Sequence, residues 1–446
     1  MKKVSIVGAG LVGSLLSVYM AKRGYKVDVF ERRPDFRQKA FVGGRSINLA
    51  MSDRGWRALK GIDLDDQMAE IALPMYGRMV HNEAGKTNFQ PYGNEGQAIY
   101  SISRGMLNLK LVNATEPDPK VNYHFNLKCK KVDFEANTLT FEAQKNKTIK
   151  EVKSDIIIGA DGAFSAVRWQ MQKSARFNFS QQYLEYGYKE LEIPANADGT
   201  HQLAKDALHI WPRKKFMLIA LPNLDGSFTC TLFLAYQGAV SFKNLNSDEE
   251  INQFFEEYFA DAKALMPDLV KDFNANPTGS LITIKCQPWH NNQSILIGDA
   301  SHAIVPFYGQ GMNSGFEDCT ILNELMEQHK DDWQQIPQAF SKSRKANADA
   351  ISDLAMRNFV EMRDLVADDN FLLRKAIEKQ ITKHYPDKYM PLYSMVTFSQ
   401  KPYAEALAEG LKQDALFAKI LKTENLQQML KEGLAPLQLE KWLKII

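Results

Sequence analysis

"VSIVGAGLVGSLLSVYMAKRGYKVDVFER", residues 4–32, is the stretch whose reading decides the fold. An apolar run over residues 4–7 predicts a short buried strand. A glycine turn follows, then an apolar helix, then a second strand ending at Glu31. Lys2 and Lys3 ahead of an uncharged run to Ala21 also resemble a leader peptide or membrane helix. The turn glycines and Glu31 argue against that. Gly8, Gly10 and Gly13 form G-x-G-x-x-G after the strand and at the mouth of the helix. The first serves the tight turn, the second lets backbone approach a pyrophosphate, and the third allows close helix–sheet packing. Helix amides then hold the phosphates. Glu31, at the end of the second strand, is placed to accept the hydroxyls of an adenosine ribose. The stretch therefore predicts an adenine dinucleotide site.

With 446 residues the chain has room for two or three domains. A net charge of +2 with 24% charged residues offers no electrostatic reason to bind nucleic acid. Cys129, Cys230, Cys286 and Cys319 form no CxxC pair, and the eight histidines show no ligand spacing. No disulfide framework and no metal are expected, and a reducing cytoplasm fits.

Only one such fingerprint occurs. A second glycine cluster, Gly309, Gly311 and Gly315 in "GDASHAIVPFYGQGMNSGFEDC" (298–319), has other spacing and follows a loop; that stretch opens at the end of "SILIGD" (294–299), a strand ending in Gly298 and Asp299. Strand carboxyl ends face the ligand crevice in a parallel sheet. Asp299 is thus placed to bond a sugar-like hydroxyl such as the ribityl chain of a flavin. The loop turns at Pro306 and Gly309, and a helix starting near Gly311 carries Met312, Phe316, Cys319 and Leu322 on one face. Its positive N-terminus suits the anionic end of a reduced flavin. A capped Gly-rich turn is the plainer alternative.

Three stretches resemble the FAD-dependent aromatic hydroxylases: the first fingerprint, "IIIGADGAFSAVR" (156–168) and "ILIGDASHAIVPFYGQGMNSGFEDC" (295–319). More narrowly, "GRSINLAMSDRG" (44–55), "PMYGRMVH" (74–81), "PYGNEGQAIYSISR" (91–104), "RNFVEMRD" (357–364) and "PLYSMVTFS" (391–399) are similar to the kynurenine 3-monooxygenase family. The resemblance spans almost the whole chain. It implies an α/β fold: a Rossmann-type FAD-binding domain, an inserted antiparallel β-sheet substrate domain and a helical C-terminal region. The expected bounds are 1–75, 98–180 and 280–325 for the FAD domain. Residues 76–97 and 181–279 form the sheet, and 326–446 the helices. A hairpin turning at Ala84-Gly85 and another across "NLDGS" (223–227) belong to the sheet.

The activity implied is hydroxylation of L-kynurenine to 3-hydroxykynurenine with NADPH and O2, through a flavin hydroperoxide. The substrate's aniline nitrogen supplies electron density, so no catalytic side chain is expected, only positioning and water exclusion. The resemblance implies that Arg78 and Tyr92 bind the substrate carboxylate, where an Arg fork is bidentate. A lone Arg otherwise reads as a surface charge. Asn358 continues the apolar stripe of Ile351, Leu354 and Ala355 in a helix near 345–365. By periodicity alone that reads as an internal hydrogen-bond network; the resemblance makes it a substrate contact, with Glu361 and Tyr393. Cofactor contacts carried over are Gly8, Gly10, Leu11, Val12, Gly13, Glu31, Ala50, Arg104, Leu127, Asp161, Asp299, Met312 and Asn313.

Eukaryotic members end in a hydrophobic anchor. Here "LKEGLAPLQLEKWLKII" (430–446) carries lysines and glutamates throughout, short of the roughly 18 apolar residues a span needs. A soluble, bacterial-type cytoplasmic enzyme is expected, as a monomer or homodimer. Rival readings are a hydroxylase of a phenol or benzoate, and a flavin- or nucleotide-binding protein without hydroxylase activity.

Overall fold

The structure, a computed structural model, describes residues 1–38, 48–365 and 368–443. The first four residues of "GRSINLAMSDRG" and the last three of the C-terminal tail lie outside the described residues. A six-stranded sheet has the order His290–Asn291, Ser294–Leu296, Ile156–Gly159, Lys3–Val7, Lys26–Phe30, Val121–His124. All its pairings are parallel except the first. Such strands are covered on both faces, which is why they read as continuous apolar runs: Val4, Ile6, Ile156, Ile157 and Ile158 have no exposed surface. Helix Leu11–Lys22 follows the glycine turn as the fingerprint predicts. The Ser294–Leu296 strand delivers Gly298 and Asp299 to the same carboxyl edge of the sheet.

A seven-stranded sheet has the order Gly279–Gln287, Asn178–Ile193, Phe228–Ala235, Met217–Pro222, Ala207–Pro212, Gly77–His81, Thr87–Pro91. Both expected hairpins are present, at 77–91 and 217–235. The sheet also takes in Gly279–Gln287, most of which the sequence reading placed with the FAD domain. The sixteen-residue Asn178–Ile193 strand is long enough to bond it along one side and Phe228–Ala235 along the other. Side chains alternate between two cores. Leu208, Ile210, Met217, Leu221 and Phe233 face the C-terminal helices. Trp211, Leu218, Ala220, Leu232 and Leu234 pack under helices Asp248–Lys263 and Leu269–Ala275.

The helix expected near 345–365 runs over Ile336–Val360 and passes into a π-helical turn at Glu361–Leu365. Such turns are rare and recur at functional sites. Further helices follow, with Pro391 at the N-cap of Leu392–Thr397. Among the described residues no helix is long and apolar enough to cross a membrane.

A buried ion network fixes the Gly298 turn. Asp318 accepts from the Gly298 amide at 3.0 Å, His302 Nε2 at 2.6 Å and Arg344 Nε at 2.7 Å. Burial alone would raise the Asp318 pKa, but His302 and Arg344 outweigh it and hold the carboxyl below its ordinary value. A depressed carboxyl stabilises the fold above the unfolded pKa of about 4, and that contribution is lost as pH falls through the folded value. In thermal melts across pH, Asp318→Asn is therefore expected to lower the midpoint at neutral pH and to flatten its acid decline. A parallel decline in both proteins would remove Asp318 as its source.

Candidate active site

One cavity of about 520 Å³ runs from the first glycine turn to Arg78 and Tyr393. At its dinucleotide end the three glycines do different work. Gly8 has φ +107°, and a Cβ there would lie 2.5 Å from the Ala160 carbonyl oxygen. A Cβ on Gly13 would lie 2.0 Å from the Gly8 carbonyl oxygen, so the helix packs against the turn itself. A Cβ on Gly10 meets no protein atom within 4 Å. That space is the cradle a pyrophosphate requires, in front of the Leu11–Lys22 helix start, and Leu11 and Val12 border it. The residues present fit an adenine dinucleotide.

Glu31 lines this end, as does Leu127, whose amide bonds the Glu31 carbonyl at 2.9 Å. The Glu31 carboxylate accepts from the Ala9 amide at 3.0 Å and from Arg33 Nε at 2.9 Å. Burial opposes its ionisation, but Arg33 and the amides outweigh burial and keep the pKa below the usual value. Asp161 lines the wall, yet its oxygens accept from Ser165 Oγ at 2.5 Å and the Ala166 amide at 2.6 Å. Its carboxylate therefore caps helix Ala166–Met171 and shapes the turn beside the cavity.

Farther along, Ala50, Arg104, Asp299 and Met312 line the middle section. Asp299 is exposed, and it faces the cavity. Desolvation by the surrounding protein is the largest influence and raises its pKa, against the opposing fields of Arg104 and His302. Gly309 has φ +66° and closes the Pro306–Tyr308 turn ahead of helix Gly311–Gln328. Asn313 is not on the cavity wall. Its Nδ2 donates to the carbonyls of Ala50 and Gly309, both at 2.8 Å, and its Oδ1 accepts from the Ser52 amide. It fastens two lining segments together.

At the other end stands Arg78, 8% exposed, which overturns the reading of a solvated surface charge. Its guanidinium lies 5.5 Å from the Tyr92 ring and 5.3 Å from the Tyr393 ring. Those rings stack at 5.1 Å and 10°. Glu361 is absent from the cavity wall, but its carboxylate sits 3.5 Å from Arg78 Nη1. Burial disfavours the Arg78 charge, yet Tyr92, Tyr393 and Glu361 together raise its pKa, so it remains a cation. Asn358 lines the cavity and donates Nδ2 to the Phe307 carbonyl at 2.7 Å. The internal hydrogen bond is present, and the side chain still borders the cavity.

Sequence reasoning missed the apolar slot between these groups: Leu208, Ile219 and Phe233 of the sheet, with Phe307 and Tyr308. Tyr308 stacks on Tyr393 at 5.6 Å. Strand alternation separates the two faces of the sheet but does not say which one meets a ligand.

Residues 1–354 match the sequence model of the FAD binding domain family. The chain is 51% identical to kynurenine 3-monooxygenase of Flavobacterium johnsoniae, over 96% of this chain and 95% of that protein. It is 43% identical to the protein of the same name from Dictyostelium discoideum, over 94% and 93%. In fold it is similar to 2-methyl-3-hydroxypyridine-5-carboxylic acid oxygenase, with a TM-score of 0.66 at 17% identity, covering 84% of this chain and 96% of the other. It is also similar to a Klebsiella pneumoniae HpxO variant complexed with FAD, with a TM-score of 0.66 at 16% identity, over 83% and 92%. With a glycine cradle leading to a buried cation in an aromatic slot, and with relatives of this identity and coverage, the chain belongs to the kynurenine 3-monooxygenase family.

Proposed function

We propose that this protein is an FAD-dependent monooxygenase that hydroxylates L-kynurenine to 3-hydroxykynurenine, with NADPH and O2 as co-substrates. The observation that carries the substrate reading is Arg78: a buried cation in a tyrosine pair, at the end of a cavity that begins in a dinucleotide cradle. FAD, when bound, supplies electron transfer from NADPH and activation of O2.

The chain's own residues bind, orient and exclude water. The substrate carboxylate takes the Arg78 fork, with the Tyr92 hydroxyl beside it. In this reading Glu361, off the cavity wall but 3.5 Å from Arg78, is the carboxylate nearest the α-ammonium group, and that pair supports the role. Asn358 and Tyr393 border the same end, and the apolar face of Leu208, Ile219 and Phe233 receives the ring. Gly8, Gly10 and Gly13 with Leu11, Val12, Glu31 and Leu127 serve the adenosine diphosphate half of FAD. Ala50, Arg104, Asp299 and Met312 serve the flavin half, and Asp161 and Asn313 shape the wall. In this reading 1–75, 98–180 and 280–325 carry the cofactor, 76–97 and 181–279 roof it, and 326–446 close the substrate end. Action in a reducing cytoplasm, as a monomer or homodimer, belongs to the same reading. Four buried free cysteines support the compartment.

The test is an aerobic assay with kynurenine and NADPH, the product identified by mass. A product heavier by one oxygen is expected; NADPH oxidation stimulated by salicylate and not by kynurenine would sink the assignment. Glu31→Ala is expected to weaken FAD by about tenfold or less, the scale of one ordinary hydrogen bond, because water can replace an acceptor. Equal FAD affinity in titrations of both proteins would take Glu31 out of the site.

A further inference from the structure

Outside the cavity, a buried guanidinium joins segments that each carry residues of the cavity wall. Arg54, in helix Asp53–Lys60, is 1% exposed. Its Nη1 pairs with Glu317 of helix Gly311–Gln328, and its Nη2 donates to the Lys401 carbonyl. Its Nε reaches the Val396 carbonyl at 3.4 Å. The guanidinium also lies 3.9 Å over the Tyr403 ring, whose hydroxyl donates to Gln310 Oε1 at 2.9 Å. Burying such a charge is a poor way to gain stability, since desolvation offsets most of the attraction. What a planar fork supplies is direction, holding a carboxylate and backbone carbonyls at fixed angles.

Those partners matter by position. Val396 follows Tyr393 by three residues in helix Leu392–Thr397, so its carbonyl reports the placement of that helix. Glu317 lies on the helix whose first turn brings Met312 to the cavity. We infer that Arg54 is a positioning residue for the hydroxylation. It sets Tyr393, and with it the stacked Tyr92 and the Arg78 cation, against the cofactor wall formed by the Gly311–Gln328 helix. The inference rests on the reading that kynurenine binds at the Arg78 end. A reacting ring displaced by about an ångström loses rate by up to about a hundredfold. Oxygen activated without a well-placed ring leaves as hydrogen peroxide: NADPH, a proton and O2 give NADP⁺ and H2O2.

Arg54→Lys keeps a cation for Glu317 and loses the fork to the two carbonyls. Glu317 also retains Arg344 Nη2 at 2.6 Å, so the variant is not left with an unpaired buried carboxylate. Expected are normal FAD content, a raised KM for kynurenine, hydroxylation slowed by up to about a hundredfold, and less 3-hydroxykynurenine per NADPH with peroxide making up the difference. Amide exchange, measured without substrate, should quicken over 392–402 and stay unchanged over 312–320. Glu317→Gln, which frees the same guanidinium from the other side, should give the same pattern more weakly and serves if Arg54→Lys does not fold. Wild-type KM, coupling and exchange in a folded FAD-loaded variant would overturn the inference. So would faster exchange spread over the whole chain with coupling intact, the mark of a merely structural role. If the wild type makes no 3-hydroxykynurenine, the functional reading fails, while the exchange comparison still decides whether Arg54 holds the Leu392–Thr397 helix.

Discussion

Gly10→Val is expected to purify as a folded protein without FAD. A Cβ at this position touches no protein atom, so the apoprotein loses no packing. The isopropyl group instead enters the cradle where the pyrophosphate must approach backbone. Gly13 gives the contrast: its Cβ would lie 2.0 Å from the Gly8 carbonyl oxygen, so Gly13→Val forces the helix off the sheet and is expected to cost the fold itself. Flavin absorbance per polypeptide, read beside a circular dichroism melt, separates the two outcomes. A folded Gly10→Val carrying a full complement of FAD would show that the cradle is not the pyrophosphate site.

Arg78→Ala is expected to weaken kynurenine binding by about ten- to a hundredfold or more, since hydrogen bonds to charged groups contribute about 1.5–3 kcal/mol each. The geometry sharpens this expectation. Arg78 lies beside the stacked Tyr92 and Tyr393 rings, and among the described residues its carboxylate partner is Glu361 at the edge of ion-pair distance, 3.5 Å. A substrate carboxylate can thus engage the fork without breaking a tight internal pair. Lysine should rescue part of the affinity, keeping the charge but losing the planar fork. FAD content should remain normal, because the Gly77–His81 strand belongs to the seven-stranded sheet, away from the glycine cradle. The control is a kynurenine analogue lacking the carboxylate, whose weak binding the substitution should barely change. Equal losses for both ligands would mean that Arg78 supports the fold or the cofactor.

Half of the site was legible because its chemistry is local. Gly8, Gly10, Gly13 and Glu31 lie within one strand–helix–strand unit, and the conformations they need are dictated by close approach of backbone to backbone. Asp299 and Met312 could be placed for a similar reason: a strand end and a helix start determine where they face. The substrate end was different. Nothing in the residues around Arg78 distinguishes a buried cation from a surface one, and only the family resemblance singled it out. For Asp161 the sequence pointed to a turn that lines the cavity, and the structure adds that its carboxylate caps a helix there. Asn313 likewise braces the wall from behind.

The sequence by itself determined the parallel sheet, the glycine cradle, the hairpins and the absence of any metal-ligand spacing, because each follows from short-range sterics and the periods of strand and helix. Only the tertiary structure decided that Gly279–Gln287 joins the sheet of 77–91 and 207–235, and that one face of this sheet meets helices from beyond 336. It gave the geometry by which Arg78, Tyr92, Glu361 and Tyr393 meet, which the resemblance had only implied, and it alone ran Arg54 from Glu317 to the carbonyls of Val396 and Lys401. Contacts between such distant segments depend on how whole layers pack, which no local pattern encodes. A buried guanidinium chooses its partners from whatever that packing places within reach of its fork.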